Sequence, residues 1–528
     1  MYRHIVYYIR QYILCICTML ISTTFLLAQQ RTIFSITDYG AVPNSQIPAT
    51  RALQNAIDAC SKNGGGTVFI PSGTFIIGTV HLQSHITLYL QSGAVLKGSS
   101  DLLNYEKFIP DSPYVPIHKG MFFTENKEDI TIMGEGEVNG NGIHFFDTTH
   151  VKKLDSIATQ FTRQKNNFRK VFTGVGDGPI VPKERPYQMF VFSNCKRISV
   201  KNIFITDAPF WCMHFADCDA ILVSGIRLWN NLLAPNADGI DITSCNNVII
   251  NDCDIRSGDD AIAITGYNHH FEIPGFQHIK HISENIIISN CNLQSYSSGI
   301  RIGFLDQNTV KNIQVNNVNI TNTTRGIGIF LRDEGSLENI SFNNVYIETK
   351  LRTGDWWGNG EPIHISAVRG KANIQLGSIR HVFFNNIICT GENGILLYGS
   401  EESYLQDINF NHIRFKVVNS ALNAVAGGNI DLRGCLRPRE QLFQSDIPGI
   451  LARYIEGLHI NDFMLEWPKE LPSFFTNGLE LRHFSNVSIF NFKALHAPTA
   501  IKGYIIFAAS GDGFVTDDLS GVKKVEVQ

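Results

Sequence analysis

The sequence predicts an all-β protein, a right-handed parallel β-helix, on three observations. A ten-residue phrase recurs through the middle of the chain, a five-residue phrase follows most of its copies, and an amphipathic helical segment precedes them. A unit of this size cannot bury its own apolar face, so stacking successive coils is the physical solution.

The chain begins with Arg3, His4 and Arg10, then an apolar run from Ile13 to Leu27 and the small residue Ala28. That is the layout of a secretory signal peptide cleaved near Ala28, giving a secreted or periplasmic protein. Thr18, Ser22, Thr23 and Thr24 interrupt the run, which is shorter than the ~20 apolar residues of a spanning helix, so no membrane span is expected. Residues 29–528 are read as one catalytic domain, because repeat architectures grow along one axis and escape the usual length limit. Within it, residues 34–98 form an N-terminal cap. Its segment TRALQNAIDACSKNGGG places Leu53, Ala56, Ile57 and Cys60 at helical spacing and ends in glycines.

After the cap, residues 141–185 break the periodicity with Lys152, Lys153, Arg163, Lys165, Arg169 and Lys170 and read as a long basic insertion. The first phrase then appears as KRISVKNIFI (196–205), DAILVSGIRL (219–228), NNVIINDCDI (246–255), ENIIISNCNL (284–293), KNIQVNNVNI (311–320), ENISFNNVYI (338–347), RHVFFNNIIC (380–389) and QDINFNHIRF (406–415). Most copies start 23–27 residues apart. Each alternates apolar and polar positions around a turn-forming Asn or Gly, as a strand with one buried face must. Cys195, Cys218, Cys245 and Cys291 are expected to stack at one corner of successive coils.

The second phrase reads WCMHF (211–215), DGIDI (238–242), DAIAI (260–264), SGIRI (298–302), RGIGI (325–329), EPIHI (361–365) and NGILL (393–397). Its paired isoleucines point inward, so alternation turns one column outward: His214, Asp241, Ala263, Arg301, Gly328, His364. A second column, Trp211, Asp238, Asp260, Ser298, Arg325, Glu361, is placed on the bend leading into the strand. Two loops, 350–361 and 433–450, lie where a solenoid builds binding sites.

Composition limits the partners. Without residues 1–28 the chain has 42 basic and 48 acidic side chains, a net charge of −6. That argues against nucleic acid and requires an anionic ligand to be held by local Arg or Lys. The nine cysteines that remain are odd in number and match no zinc spacing, so neither a disulfide framework nor a metal or other cofactor is predicted.

Asp259 and Asp260 are consecutive, and the register places Asp238 one coil below, at the ~4.8 Å spacing of neighbouring strands. Like charges so close repel and raise at least one pKa, a cost a purely structural strand would avoid. Glycoside hydrolysis uses such a set: one protonated carboxyl for the leaving oxygen and ionised partners for the water. Turn capping or calcium binding would also use aspartates, but the dipeptide with Asp238 beneath it favours catalysis.

The phrases NADGIDITSC (236–245), SGDDAIAITG (257–266) and APFWCMHFADC (208–218), with DYGAVPN, AIDACSKNGGGTVFIPSGTF and LYLQSGAVLKGS near the start, resemble glycoside hydrolase family 28, the polygalacturonases. The resemblance covers about residues 34–420 and implies a pectin-lyase-like solenoid and metal-independent, inverting hydrolysis of pectic or other acidic polysaccharide. It implies Asp259 as general acid, Asp238 and Asp260 holding and deprotonating the water, and Asn236 orienting the site. Where the family carries Gly-His-Gly this chain has Ser297, Ser298 and Gly299, and where it carries Arg-Ile-Lys this chain has Gly328, Ile329 and Phe330. The replaced His, Arg and Lys grip galacturonate in the family.

Basic groups return at Arg301, Arg325 and Arg332, whose guanidinium forks suit a uronate carboxylate. Pairing with Asp241, Glu361 or Asp333 is the competing role and stays open. Trp356 and Trp357 are candidate sugar-stacking surfaces, Trp211 a wall beside Asp238, and His214, Glu361 and His364 further candidate contacts. Exo action on branched or rhamnose-containing pectin is the expectation drawn from loop length, with a monomer as the working unit. A β-helix lyase and a non-catalytic carbohydrate-binding solenoid are the alternatives.

Overall fold

The computed structural model describes residues 32–108, 116–154, 157–267, 281–304, 306–501, 503–517 and 522–525. The expected signal peptide lies outside them. No helix among the described residues is long and apolar enough to cross a membrane.

The chain is the predicted right-handed parallel β-helix, with parallel pairing running from Ile33 to Val525. The N-terminal cap contains the expected helix, α1 (Thr50–Lys62), which buries Ala52, Leu53, Ala56, Ile57 and Cys60. It ends at the glycines for a steric reason. At Gly65 φ is +109°, a conformation that side chains disfavour, and a Cβ would meet the His85 carbonyl at 2.4 Å.

The second phrase forms the middle, β2 to β8, of one sheet with strands β1 (Phe190–Ser193), β2 (Met213–Ala216), β3 (Ile240–Thr243), β4 (Ile262–Thr265), β5 (Ser298–Gly303), β6 (Arg325–Leu331), β7 (Ile363–Ala367), β8 (Ile395–Tyr398), β9 (Ile450–Glu466), β10 (Leu479–Lys493) and β11 (Ile506–Gly511). Its register is the one expected. His214 pairs with Asp241, Asp241 with Ala263, Ala263 with Arg301, Arg301 with Gly328 and Gly328 with His364.

The first phrase supplies the other faces. Early copies are split into two short strands, while Val310–Thr323, Ser336–Thr349, Ser378–Gly391 and Leu405–Val417 run through the corner as single bent strands. Asn317, Asn344, Asn386 and His412 turn that corner with φ between 54 and 57°, a conformation Asn tolerates better than most residues. Asparagine side chains stack from coil to coil, for example Asn343 to Asn316 at 3.0 Å and Asn385 to Asn343 at 2.9 Å.

The cysteine expectation is corrected in one place. The Cys195 amide donates to Cys218 Sγ and the Cys218 amide to Cys245 Sγ, each at 3.3 Å. Cys291 instead follows Cys253 at another corner, because the Asn292 amide bonds the Cys253 carbonyl. Ser283 holds the position above Cys245, so a short phrase offset by a few residues had merged two columns. All nine described cysteines are buried free thiols.

The insertion at 141–185 crosses over the site-bearing sheet. Its strands Phe146–Val151 and Ile180–Pro182 pair antiparallel, and its middle reaches far along the solenoid. The Arg163 amide bonds Asn429 Oδ1 at 2.9 Å. Arg169, wholly buried, donates to the Trp356 and Gly358 carbonyls and to Asn359 Oδ1.

Candidate active site

The column beginning at Trp211 lies at the entry to the strands: Trp211, Asp238, Asp260 and Glu361 precede them, as does Asp259, whereas Ser298 and Arg325 are the first residues of β5 and β6. The stacking is recorded by the backbone: the Cys212 amide bonds the Asp238 carbonyl, the Gly239 amide the Asp260 carbonyl, and the Ala261 amide the Ser298 carbonyl. One carboxylate oxygen from each of Asp238, Asp259 and Asp260 lies within 4.8 Å of the other two. All three line a cleft of about 190 Å³ with Trp211, Asn236, Ser297, Arg301, Phe304, Arg325, Phe330, Arg332, Trp357, His364, Asp431 and Arg433.

The three carboxyls differ in environment. Asp259 accepts from the Asn236 amide at 3.2 Å and the Asp260 amide at 3.1 Å. Burial, then repulsion from Asp260, pushes its carboxyl up to about 6. Asp260 accepts from Ser297 Oγ at 2.9 Å, from the Ser298 amide at 3.0 Å, and from Arg301 Nε. Burial opposes its ionisation, but the charge and hydrogen bond of Arg301 outweigh it and hold the carboxyl below the usual range. Asp238 is raised well above that range by burial and then by Asp259, Asp241 and Asp260. Its Oδ1 has no hydrogen-bond partner among the described residues. Below about pH 6 the cluster therefore sets protonated Asp259 beside ionised Asp260, which is the requirement of acid–base chemistry.

The serines that replace the family's Gly-His-Gly thus have a definite place: Ser297 and Ser298 bind Asp260. Gly328 and Phe330 form one coupled change. A Cβ at Gly328 would meet the Phe330 ring at 2.5 Å, so the ring lies over the glycine. It packs edge-on against His364 with 4.9 Å between centroids, and Arg325 and Arg332 lie 4.7 and 5.4 Å from its centre.

Of the residues expected to contact substrate, Asn236, Arg301, Arg325, Arg332, Trp211, Trp357 and His364 line the cleft. Three do not. His214 is buried between Gln188 Oε1 and Thr243 Oγ1, at 2.7 and 2.9 Å. Trp356 is 1% exposed and donates its indole N–H to the Asp177 carbonyl in the insertion, so it is a packing residue; Trp357, 38% exposed, is the available indole face. Glu361 sits behind Arg325, 2.9 Å from its Nε, and bonds His364 Nδ1 at 3.0 Å. Burial, partly offset by Glu361, lowers the His364 imidazole to about 4, so it is neutral near pH 7.

The open question about the arginines resolves differently for each. Arg301 pairs with Asp260 and Arg325 with Glu361. Arg332 donates to the Leu331 and Ser366 carbonyls and Ser366 Oγ and makes no ion pair among the described residues. Two further arginines carried no periodic signal. Arg433 pairs with Asp431 and Asp355 and lies over Trp357, 4.6 Å from the ring centre. Arg185, at the end of the insertion, donates to the Pro209 and Pro235 carbonyls and to Asn236 Oδ1 at 2.9, 3.0 and 3.1 Å. It thereby fixes the turn whose Asn236 amide reaches Asp259. Both were hidden because only loop folding brings them to the sheet.

Residues 176–353 match the model of glycosyl hydrolases family 28, and residues 33–181 match that of rhamnogalacturonase A/epimerase, pectate lyase-like. A probable polygalacturonase of Vitis vinifera is 29% identical over 241 residues, 44% of this chain and 43% of that protein. An exo-poly-alpha-D-galacturonosidase of Dickeya chrysanthemi is 24% identical over 254 residues, 44% of this chain and 41% of that protein. The chain spans about half the length of the curated relatives it matches. Among solved structures, a hyperthermoactive exopolygalacturonase from Thermotoga maritima has a TM-score of 0.58 at 20% identity, covering 89% of this chain and 93% of that one. A family 28 exopolygalacturonase from Yersinia enterocolitica has a TM-score of 0.59 at 16% identity, covering 90% and 79%. At such identities these two structures speak for the fold, and the family 28 match over residues 176–353 together with the polygalacturonase relatives supports placing the chain as a divergent member of glycosyl hydrolases family 28.

Proposed function

We propose that the protein hydrolyses glycosidic bonds in pectic, uronic-acid-containing polysaccharide, acting from a chain end and with inversion. The observation that carries this reading is the convergence of three buried carboxyls with unlike partners, Asp260 held by Arg301 and Asp259 by two backbone amides. Protonated Asp259 donates to the glycosidic oxygen as the C1–O bond breaks. Water held by Asp238 and Asp260 attacks C1 from the opposite face and passes its proton to ionised Asp260. The carboxylate oxygens are closer than the ~6.5–9.5 Å usual for inverting pairs, so inversion rests on family membership rather than on spacing.

Arg332 is the guanidinium best placed for the uronate carboxylate, since Arg301, Arg325 and Arg433 already hold carboxylates. Exo action is supported by the loops over the sheet. The hairpin of Asn429–Asp431 with Leu442–Gln444 and the 350–361 loop reduce the groove to a cleft. The apolar leader at 1–28 supports export, and residues 29–528 are proposed to act as one unit.

The test is product analysis on pectic oligosaccharides. Reducing ends released as short units, with the anomer followed by NMR and no ultraviolet-absorbing unsaturated product, fit the proposal. A lyase is the second reading, because three carboxylate oxygens within 4.8 Å could hold a divalent cation. Unsaturated product that disappears with chelator would establish that reading and overturn hydrolysis.

A further inference from the structure

A second hollow lies on the same sheet face, beyond the hairpin of Asn429–Asp431 and Leu442–Gln444. That hairpin is a wall with two sides: Asp431 lines the aspartate cleft, whereas Ile430 and Phe443 line the hollow. The hollow measures about 510 Å³ and is built on β8 to β11. Counting strands from β4 to β9 puts it five steps from Asp260, roughly 24 Å at the usual strand spacing.

Its lining follows from register. Tyr398 pairs with Arg453 and Arg453 with Arg482, while Leu451, Glu480 and Phe507 form the adjoining column. Aromatic rings come from Tyr398, Phe443 and Phe507, the last with the Arg482 guanidinium 5.1 Å from its centre and so with one face left for a ligand. Two carboxylates are present, and both are engaged: Glu480 by Arg482 at 2.6 Å and Asn477 at 2.8 Å, Asp446 by Arg163 at 3.2 Å. Arg453 differs. It donates to Tyr398 Oη at 3.0 Å and Tyr454 Oη at 3.5 Å, lies 5.3 and 4.9 Å from the ring centres of Tyr398 and Tyr454, and makes no ion pair among the described residues. Its Nε is buried without a hydrogen-bond partner among them.

A half-buried guanidinium held on aromatic rings, on which Glu440 acts only from beyond ion-pair distance, is matched by a carboxylate on a ring-shaped ligand. Aromatic faces complement the apolar face of a pyranose. We propose that this hollow is a second, non-catalytic saccharide site that binds a uronate residue of an acidic polysaccharide, with Arg453 taking the carboxylate and Phe507 the ring. The wall separates it from the cleft, so it retains polymer near the enzyme without presenting a bond to Asp259. The proposal rests on the acidic-polysaccharide reading above.

Affinity electrophoresis through gels containing polygalacturonate tests it, on the Asp259→Asn background so that turnover does not alter the gel. Adding Arg453→Gln should weaken retention about ten-fold, the loss expected for one charge-assisted contact, with the thermal midpoint unchanged. Phe507→Ala, on the sheet surface, should weaken it several-fold and decides the matter if Arg453→Gln fails to fold. Retention should be slight on fully methyl-esterified pectin. Unchanged retention in the folded variants, equal retention on the esterified polymer, or no retention of the parent each overturns the proposal. Failure of the hydrolase reading would show separately, as absence of reducing-end release with Asp259 intact.

Discussion

The two sides of a single coil obey the same repeat yet have different surroundings. On the corner-turning side, Ser336–Thr349 alternates buried and accessible residues, and the asparagine ladders face outward. On the site side, β7 is buried at every residue. The strands are equally regular; what differs is the cover. The insertion at 141–185 and the loops at 350–361 and 429–446 lie over the outer face of the sheet and are joined through Arg169. A polar side chain in an outward column is therefore solvated on one side of the coil and desolvated on the other. Desolvation is what separates the behaviour of Asp259 and Asp260 from that of ordinary surface aspartates.

The largest test of this contrast removes the acid on the covered side. Asp259→Asn should lower kcat by about 10²- to 10⁴-fold, measured as reducing-end release, with little change in thermal midpoint. Removing the tie that holds the cover should come next. Arg169→Met removes the buried donor to the Trp356 and Gly358 carbonyls and Asn359 Oδ1, while Asp431 keeps Arg433, and should cost about 3 kcal/mol, read by denaturant unfolding, with activity falling as the loops loosen. If stability were unchanged, the cover would not depend on this arginine.

A pH profile sharpens the comparison further. Because Asp259 must be protonated and its carboxyl is pushed up to about 6, activity should fall as pH rises through that value. Asp260 must be ionised and is held below the usual range, so the acid limb should lie at low pH. Arg301→Gln removes the charge that lowers both groups, and both limbs of the kcat/KM profile should move to higher pH. Immobile limbs would show that Arg301 does not set the protonation of the pair. The smallest effect belongs to the open side: Asn343→Ala breaks two ladder steps, to Asn316 and from Asn385, and should cost about 1–2 kcal/mol in unfolding experiments while leaving kcat/KM intact.

Much of this architecture was legible in the residues. Alternation and repeat spacing gave the coil, and aligning DGIDI over DAIAI brought Asp238 beneath Asp259 and Asp260. Helical spacing at Leu53, Ala56, Ile57 and Cys60 located α1. Errors arose where two columns resembled one another, as at Cys291, or where an outward column was taken to mean access, as at His214. Trp356 and Trp357 are adjacent in sequence, and no periodicity distinguishes the indole locked against Asp177 from the one that faces the cleft. Arg185 and Arg433 lie in aperiodic segments, where composition records charge and gives no direction.

By itself, then, the sequence determined the coil, its register and the meeting of three carboxyls, because these follow from local alternation and the fixed spacing between neighbouring strands. The tertiary structure decided which carboxyl keeps its proton, which arginine remains without a counter-charge and which aromatic ring is left uncovered. Those properties depend on desolvation and on partners contributed by loops distant in the chain, whose paths no local repeat specifies.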